Sequence, residues 1–358
     1  MFEYLPTPTL LLDQDRTTRN IRQMQAVCDA HDVELWPHMK THKMLEVARL
    51  QLEAGAKGLV CAKLGEAEAM LPSSVRRIFI AYSLVDPLQA PRLRHLAASL
   101  DELILACTSE AHAEALETLL ATADLKLPVL MAVDTGQHRE GARGLEGAMR
   151  LAACIQRQPH LELHGLYTHE GHAYGTANGN TQEVAATTHK QLLTLRDRLD
   201  STLSIWPGCS VTAKELATMP GVTALRPGAY VFGDLSLAAT QNIMQWDDVA
   251  VTILATVVDR PEPGLALIDA GSKTFSGDKT AAGLSGSFYD QRAIHITRCS
   301  EEHGFATGPQ VDELRIGERV RVVPAHICPA VNLADEVTVI CNDQVVDTWR
   351  VAARGKVQ

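Results

Sequence analysis

The sequence predicts a parallel α/β barrel followed by an all-β domain, and three observations lead there. The chain has 358 residues, enough for two domains at roughly 100–200 residues each. Up to about residue 235, short β-branched runs alternate with Ala/Leu/Glu-rich helical stretches. After Asp234 the strands continue, but Gly, Pro and Asp fill the gaps between them. With 46% hydrophobic and 21% charged residues, the composition excludes extensive disorder and a collagen-like or coiled-coil chain.

Residues 10–13 form a short apolar run, and residues 14–31 carry Ile21, Met24, Val27 and Cys28 at helical spacing, so the chain opens with strand then helix. Further apolar runs follow at 33–36, 58–62, 77–82, 102–107, 128–133, 161–167, 203–206 and 223–225. Most lead into a helical pattern, and about eight such units close a (β/α)8 TIM-type barrel, with a doubly wound open sheet as the competing arrangement. The later strands are predicted at 249–259, 265–269, 293–297, 318–323 and 336–342, without helices between them. Gln241-Asn242-Ile243-Met244-Gln245 interrupts both patterns. The expected domains are therefore a barrel over 10–240 and an all-β domain made of residues 241–358 together with residues 1–9.

An excess of 43 Asp and Glu over 33 Lys and Arg gives a net charge of −10, which repels nucleic-acid phosphates. No apolar run reaches the eighteen or so residues of a membrane helix, and Met1-Phe2-Glu3-Tyr4-Leu5-Pro6 lacks a basic-then-apolar leader. A cytoplasmic protein is expected. Cysteines 28, 61, 107, 154, 209, 299, 328 and 341 include no C-x-x-C spacing, which reads as reduced thiols.

Barrel chemistry sits at the C-terminal ends of the strands, and there the unusual residues gather. The first end, Trp36-Pro37-His38-Met39-Lys40-Thr41-His42-Lys43, puts His38 and Lys40 on one face by alternation; a solvated basic loop is the plainer reading. The fifth gives Asp134-Thr135-Gly136-Gln137-His138-Arg139-Glu140-Gly141, and the sixth Tyr167-Thr168-His169-Glu170-Gly171-His172-Ala173-Tyr174. Gly208-Cys209-Ser210-Val211-Thr212 opens a helix at Ala213, and Arg226-Pro227-Gly228-Ala229-Tyr230 ends the eighth. Glycines and hydroxyls at a helix start suit a phosphate. A reactive lysine, phosphate donors, and aromatic and cationic groups on one rim are what pyridoxal phosphate requires, the lysine forming the Schiff base.

With these motifs the chain resembles the D-threonine aldolase and D-serine dehydratase group, metal-activated pyridoxal enzymes with an alanine-racemase-like barrel. The likeness also rests on Asp269-Ala270-Gly271-Ser272-Lys273, Glu301-Glu302-His303-Gly304 and Pro324-Ala325-His326-Ile327-Cys328-Pro329. It implies a Schiff base on Lys40 and not Lys43, and Arg139 on the cofactor ring hydroxyl. Tyr174 would lie beside the pyridine ring, with His38, Tyr167 and His172 on the same rim. Gly208, Cys209, Ser210, Gly228 and Tyr230 would surround the phosphate. The family usually shows Gly-Ser-Thr-Pro-Thr where this chain has Gly208-Cys209-Ser210-Val211-Thr212, which puts contacts through the second side chain in question. A homodimer is also implied.

His326 and Cys328 stand two apart on a predicted strand end, so both side chains would face one way, and imidazole plus thiolate favours zinc. In the family this pair is the divalent-metal site, manganese being the other candidate ion. A cysteine there resembles the zinc-dependent dehydratase branch, whereas the aldolase branch typically carries aspartate. The resemblance thus implies a lyase acting on 3-hydroxy-D-amino acids, with dehydration to a 2-oxo acid and ammonia favoured over retro-aldol cleavage to glycine and an aldehyde. An amino-acid racemase and a non-catalytic pyridoxal carrier are the remaining alternatives. Glu301, Glu302 and His303 read equally as shaping their own region or as supporting the metal ligands.

Overall fold

The computed structural model describes residues 2–175 and 181–358; Met1, part of the N-terminal segment read above, lies outside them. The chain divides into two compact units. One comprises Arg22–Lys40, Leu45–Gly228 and Gly355–Gln358, the other Met1–Ile21, Thr41–Met44 and Ala229–Arg354. The opening strand β1 (Thr9–Asp13) belongs to the second unit.

The first unit is mixed α/β. Its strands are β2 (Glu34–Leu35), β3 (Leu59–Cys61), β4 (Arg77–Ile80), β5 (Glu102–Cys107), β6 (Leu127–Ala132), β7 (Leu161–Tyr167), β8 (Ser204–Trp206) and β9 (Ala224–Leu225). Strands β3 to β8 form one six-stranded parallel half-barrel in sequence order, and β2 pairs with β9 in a separate parallel pair. Hydrogen bonds link these pieces: Val60 N donates to Pro37 O at 3.0 Å and Lys57 N to Leu35 O at 2.9 Å, and Thr223 N donates to Ile205 O at 3.0 Å. Each apolar run from 33–36 to 223–225 overlaps one of these strands.

The inward side chains include Trp36, Val60, Phe79, Ile104, Leu130, Tyr167 and Trp206. Alternate residues such as Leu59, Cys61, Ile78 and Ile80 are buried too, which is why these parallel strands read as unbroken apolar runs. The helices cover them with apolar stripes. Glu110–Ala123 buries Ala113, Leu116, Leu119, Leu120 and Ala123; it starts where the Ser109 hydroxyl accepts the His112 N–H and stops at left-handed Asp124.

The second unit holds β10 (Val251–Glu262), β11 (Leu265–Ile268), β12 (Gly286–Phe288), β13 (His295–Cys299), β14 (Gly304–Thr307), β15 (Arg319–Pro324), β16 (Glu336–Cys341) and β17 (Gln344–Arg350). The sheet order is β11-β14-β13-β12-β15-β10-β1-β16-β17, and pairing of β10 with β11 closes the first six into a barrel. Three of its strands, β12, β14 and β17, lie outside the predicted set. Two helices, Ser272–Phe275 and Ile327–Leu333, stand where none was expected. The second overturns the strand-end reading of the His-x-Cys pair: Asp234 accepts the Ile327 N–H at 3.2 Å, so the chain turns helical at His326. Pro329 fits because a first turn has spare N–H groups. Among the described residues, no helix is long and apolar enough to cross a membrane, and all eight cysteines are free.

Candidate active site and metal pair

The chain past β2 stays extended as far as His38, whose N–H donates to Pro227 O at 2.9 Å and which bridges to Val60. It then tightens into a 3-10 turn, Met39–Thr41. Lys40 therefore sits on a turn and not on a strand face, which corrects the alternation argument. Its N–H approaches His38 Nδ1 at 3.5 Å. Burial, then the charges of Lys40, Arg226 and His169, hold the His38 ring well below its usual range. His169, with Nδ1 2.8 Å from Gly208 O, is lowered to about 3 by burial and the Lys40 charge. Two neutral imidazoles thus lie in the field of one lysine.

Arg226 is buried at the end of β9. It donates to Trp206 O at 3.2 Å and to Thr168 O, and its guanidinium lies 5.1 Å from the Tyr167 ring centroid. Glu170 is fully buried and accepts the Gly208 N–H at 3.2 Å and the Thr212 hydroxyl at 3.4 Å. Burial raises its carboxyl to about 7, against its own N–H, Arg226 and the Gly208 N–H. A buried acid thus braces the loop expected to hold phosphate.

In that loop the Cys209 thiol is pushed up to about 12 by burial, with the carboxyl of Glu170 acting the same way. Hydrogen bonds from the Val211 and Thr212 backbone and from Tyr174 act on its sulfur. The sulfur thereby takes the part of a hydroxyl oxygen ahead of the helix Ala213–Ala217. A Cβ at Gly208 would come within 2.7 Å of Arg226, so close packing requires glycine there. Ser210 is buried in the same loop and Gly228 follows β9, while Tyr230 is buried in the second unit.

Arg139 pairs with Glu140 at 3.0 Å and lines a small cavity with Asp134, Gln137, Tyr167 and His169. Asp134 fixes this turn by accepting the Gly136 and His138 N–H groups at 3.1 and 2.9 Å. Gly136, at φ +139°, lets the His172 ring approach to where a Cβ would lie 3.0 Å from it. Two buried polar atoms, the Tyr167 hydroxyl and His172 Nδ1, have no partner among the described residues. Since buried polar groups are ordinarily bonded, these atoms, the amine and the phosphate-type loop fit pyridoxal phosphate.

In the second unit, His326 Nδ1 lies 2.6 Å from Asp278 Oδ2, and Cys328 Sγ lies 3.2 Å from Thr41 Oγ1. Buried Asp234 accepts the Leu237 N–H at 3.0 Å with one oxygen and the Ile327 N–H at 3.2 Å with the other. Burial would lower the His326 pKa, but Cys328, Asp234 and Asp278 outweigh it and raise it to about 10. Among the described residues no group of three His, Cys, Asp or Glu side chains is placed to hold a metal. One imidazole and one thiolate nonetheless fit a soft divalent cation that takes its other ligands from solvent or substrate. Glu301 and Glu302 instead pair with Lys273 at 2.9 and 2.8 Å, and the Ser300 and Glu301 carbonyls pack where a Cβ of Gly271 would stand.

Sequence reasoning did not single out Arg226, Glu170, Asp234, Asp278 or Thr41. Arg226, Glu170 and Thr41 lay within the strand-end motifs, and a polar residue at a strand's C-terminal end was the signal to follow.

The residues at 12–236 match a family model described as the alanine racemase N-terminal domain, and those at 250–340 one described as a putative serine dehydratase domain. The chain is 30% identical to the D-threonine aldolase of Arthrobacter sp over 98% of its length and 93% of that protein. It is also 30% identical to the D-threo-3-hydroxyaspartate dehydratase of Delftia sp. (strain HT23), over 96% and 97%. The D-serine dehydratase of Dictyostelium discoideum is 25% identical, over 97% and 96%. A solved structure of the Delftia dehydratase superposes with a TM-score of 0.88 at 27% identity, covering 97% of this chain and 98% of that one. Two further solved structures, described as variants of a D-threo-3-hydroxyaspartate dehydratase, carry alanine at a histidine and at a cysteine two positions later, the cysteine variant in the metal-free form.

Proposed function

The chain belongs to the D-threonine aldolase and D-serine dehydratase family of pyridoxal phosphate-dependent lyases, and from that premise we propose that it dehydrates 3-hydroxy-D-amino acids such as D-serine to a 2-oxo acid and ammonia. The observation that carries this reading is the Cys328 sulfur placed two residues beyond His326 at the start of a helix. That donor set suits zinc better than harder ions, and the metal-free form of a cysteine variant of a D-threo-3-hydroxyaspartate dehydratase supports a metal at such a pair.

Bound pyridoxal phosphate supplies an electron sink for charge at the substrate Cα. A divalent cation at His326 and Cys328 supplies Lewis acidity toward a hydroxyl oxygen. The protein's own groups do the rest. The Lys40 amine carries the cofactor at rest and then moves the Cα proton. His38 and His169, both neutral, add no positive charge beside it. Arg139 would meet the ring hydroxyl, Tyr167, His172 and Tyr174 would line the ring, and Gly208, Cys209, Ser210 and Gly228 would hold the phosphate. We read the six-stranded and two-stranded parallel sheets as arcs of one closed (β/α)8 barrel, a reading supported by the hydrogen bonds linking them. A cytoplasmic homodimer is the state this reading implies.

Retro-aldol cleavage is the second reading, favoured by the equal 30% identity to an aldolase. A substrate with a second carboxylate, as the Delftia enzyme's name describes, would meet His138 or Arg139. The deciding assay incubates the zinc-loaded holoenzyme with D-serine and D-threonine and measures 2-oxo acid against glycine. We expect 2-oxo acid and ammonia from both; glycine and acetaldehyde as the main products of D-threonine would overturn the dehydration reading.

A further inference from the structure

We propose that Asp278 and Thr41 are positioning residues for the metal pair, Asp278 fixing the His326 ring and Thr41 fixing the Cys328 sulfur. The inference rests on the reading of that pair as a divalent-cation site.

The Asp278 carboxylate stands 2.6 Å from His326 Nδ1. A carboxylate only accepts, so this contact keeps the proton on Nδ1 and leaves the Nε2 lone pair for a cation. The His326 and Asp278 side chains are 45% and 53% exposed. An imidazole that is partly exposed keeps one orientation only where hydrogen bonds hold it, and here Cys328 and Asp278 both bond the ring. The backbone that carries the carboxylate is tied down by the Asp278 N–H, which donates to Ser276 Oγ at 3.2 Å. Among the described residues no three candidate ligands converge, so Asp278 acts on the ring rather than as a third ligand.

Thr41 is fully buried, and its hydroxyl lies 3.2 Å from Cys328 Sγ. A hydroxyl donating to a thiolate directs the sulfur and moderates its basicity. The peptide between the two ligands is anchored as well, by Asp234 on the Ile327 N–H. Each presumed ligand and the peptide joining them thus has its own outer partner, drawn from three separate stretches of chain. Such partners are what orient metal ligands elsewhere, and losing one typically costs 10–100-fold in affinity.

The test is equilibrium dialysis of the pyridoxal holoenzyme against zinc, comparing the unaltered chain with Asp278→Asn, Thr41→Val, His326→Ala and Cys328→Ala. Asp278→Asn keeps the shape and loses the charge, so its zinc Kd should rise about 10–100-fold. Thr41→Val should raise it by less, and the two ligand variants should abolish binding. Cobalt-saturated Asp278→Asn should keep the d–d spectrum and the sulfur-to-cobalt charge-transfer band of the unaltered protein, because no ligand has been removed. A changed d–d spectrum would make Asp278 a ligand and overturn the positioning role. Unaltered zinc affinity in Asp278→Asn and Thr41→Val, with His326→Ala inactive in binding, would overturn this inference alone. Zinc bound as tightly by His326→Ala and Cys328→Ala would remove the metal reading itself.

Discussion

Glu170 holds a carboxyl in complete burial behind the Gly208–Thr212 loop, and its pKa is raised to about 7. An unfolded glutamate ionises near 4.3. Between those values the folded chain keeps a proton that the unfolded chain has released, so stability falls as pH rises through the window and levels off above about 7. The full loss is on the order of 4 kcal/mol. Glu170→Gln keeps an acceptor for the Gly208 N–H and has nothing to titrate. The thermal midpoint of the unaltered chain should therefore fall relative to that of Glu170→Gln between pH 5 and 7; parallel curves would contradict the assignment. At this scale the sequence was most readable where partners are close along the chain. Lys40, Arg139 and the Gly208–Thr212 loop each sit in a run of unusual residues. Asp278 lies 48 positions from His326, and Asp234 lies 93 from Ile327. Only folding brings such partners together, so no spacing announced them. Cys209 shows the opposite case, where the departure from the familiar loop is visible in the sequence and the sulfur's neighbours, the Val211 and Thr212 backbone, lie two and three positions on.

Gly165 shows how tightly β7 and β8 pack. A Cβ there would lie 2.0 Å from Ser204 Oγ and 2.5 Å from Ser204 O. Gly165→Ala must push the strands apart, at a cost of about 1–3 kcal/mol, and should lower the urea midpoint accordingly; an unchanged midpoint would contradict this packing. The strands of the α/β unit were legible because both faces are buried, which leaves runs too apolar for a loop. In the all-β unit the same criterion missed β17, where five of seven residues from Gln344 to Arg350 are exposed and only Trp349 is buried. It also missed β12 and β14, which are three and four residues long and begin with glycine. The helix at Ile327–Leu333 was hidden by Pro329 and by a cap supplied from Asp234. Alternation at His38 and Lys40 failed for a related reason, since the strand ends and a 3-10 turn begins at Met39.

At the scale of the molecule, a chain of net charge −10 gathers Lys40, Arg139 and Arg226 around two neutral histidines in one unit, which suits an anionic cofactor in a protein that otherwise repels anions. The all-β unit supplies a separate imidazole and thiolate. Lys43 is the other lysine of the motif, but its amine already donates to Asn332 at 2.7 Å. The most direct test is borohydride reduction of the holoenzyme followed by peptide mapping. The pyridoxyl group should be fixed on Lys40. Finding it on Lys43, or on no lysine after saturation with the cofactor, would contradict the assignment on which the proposed chemistry stands.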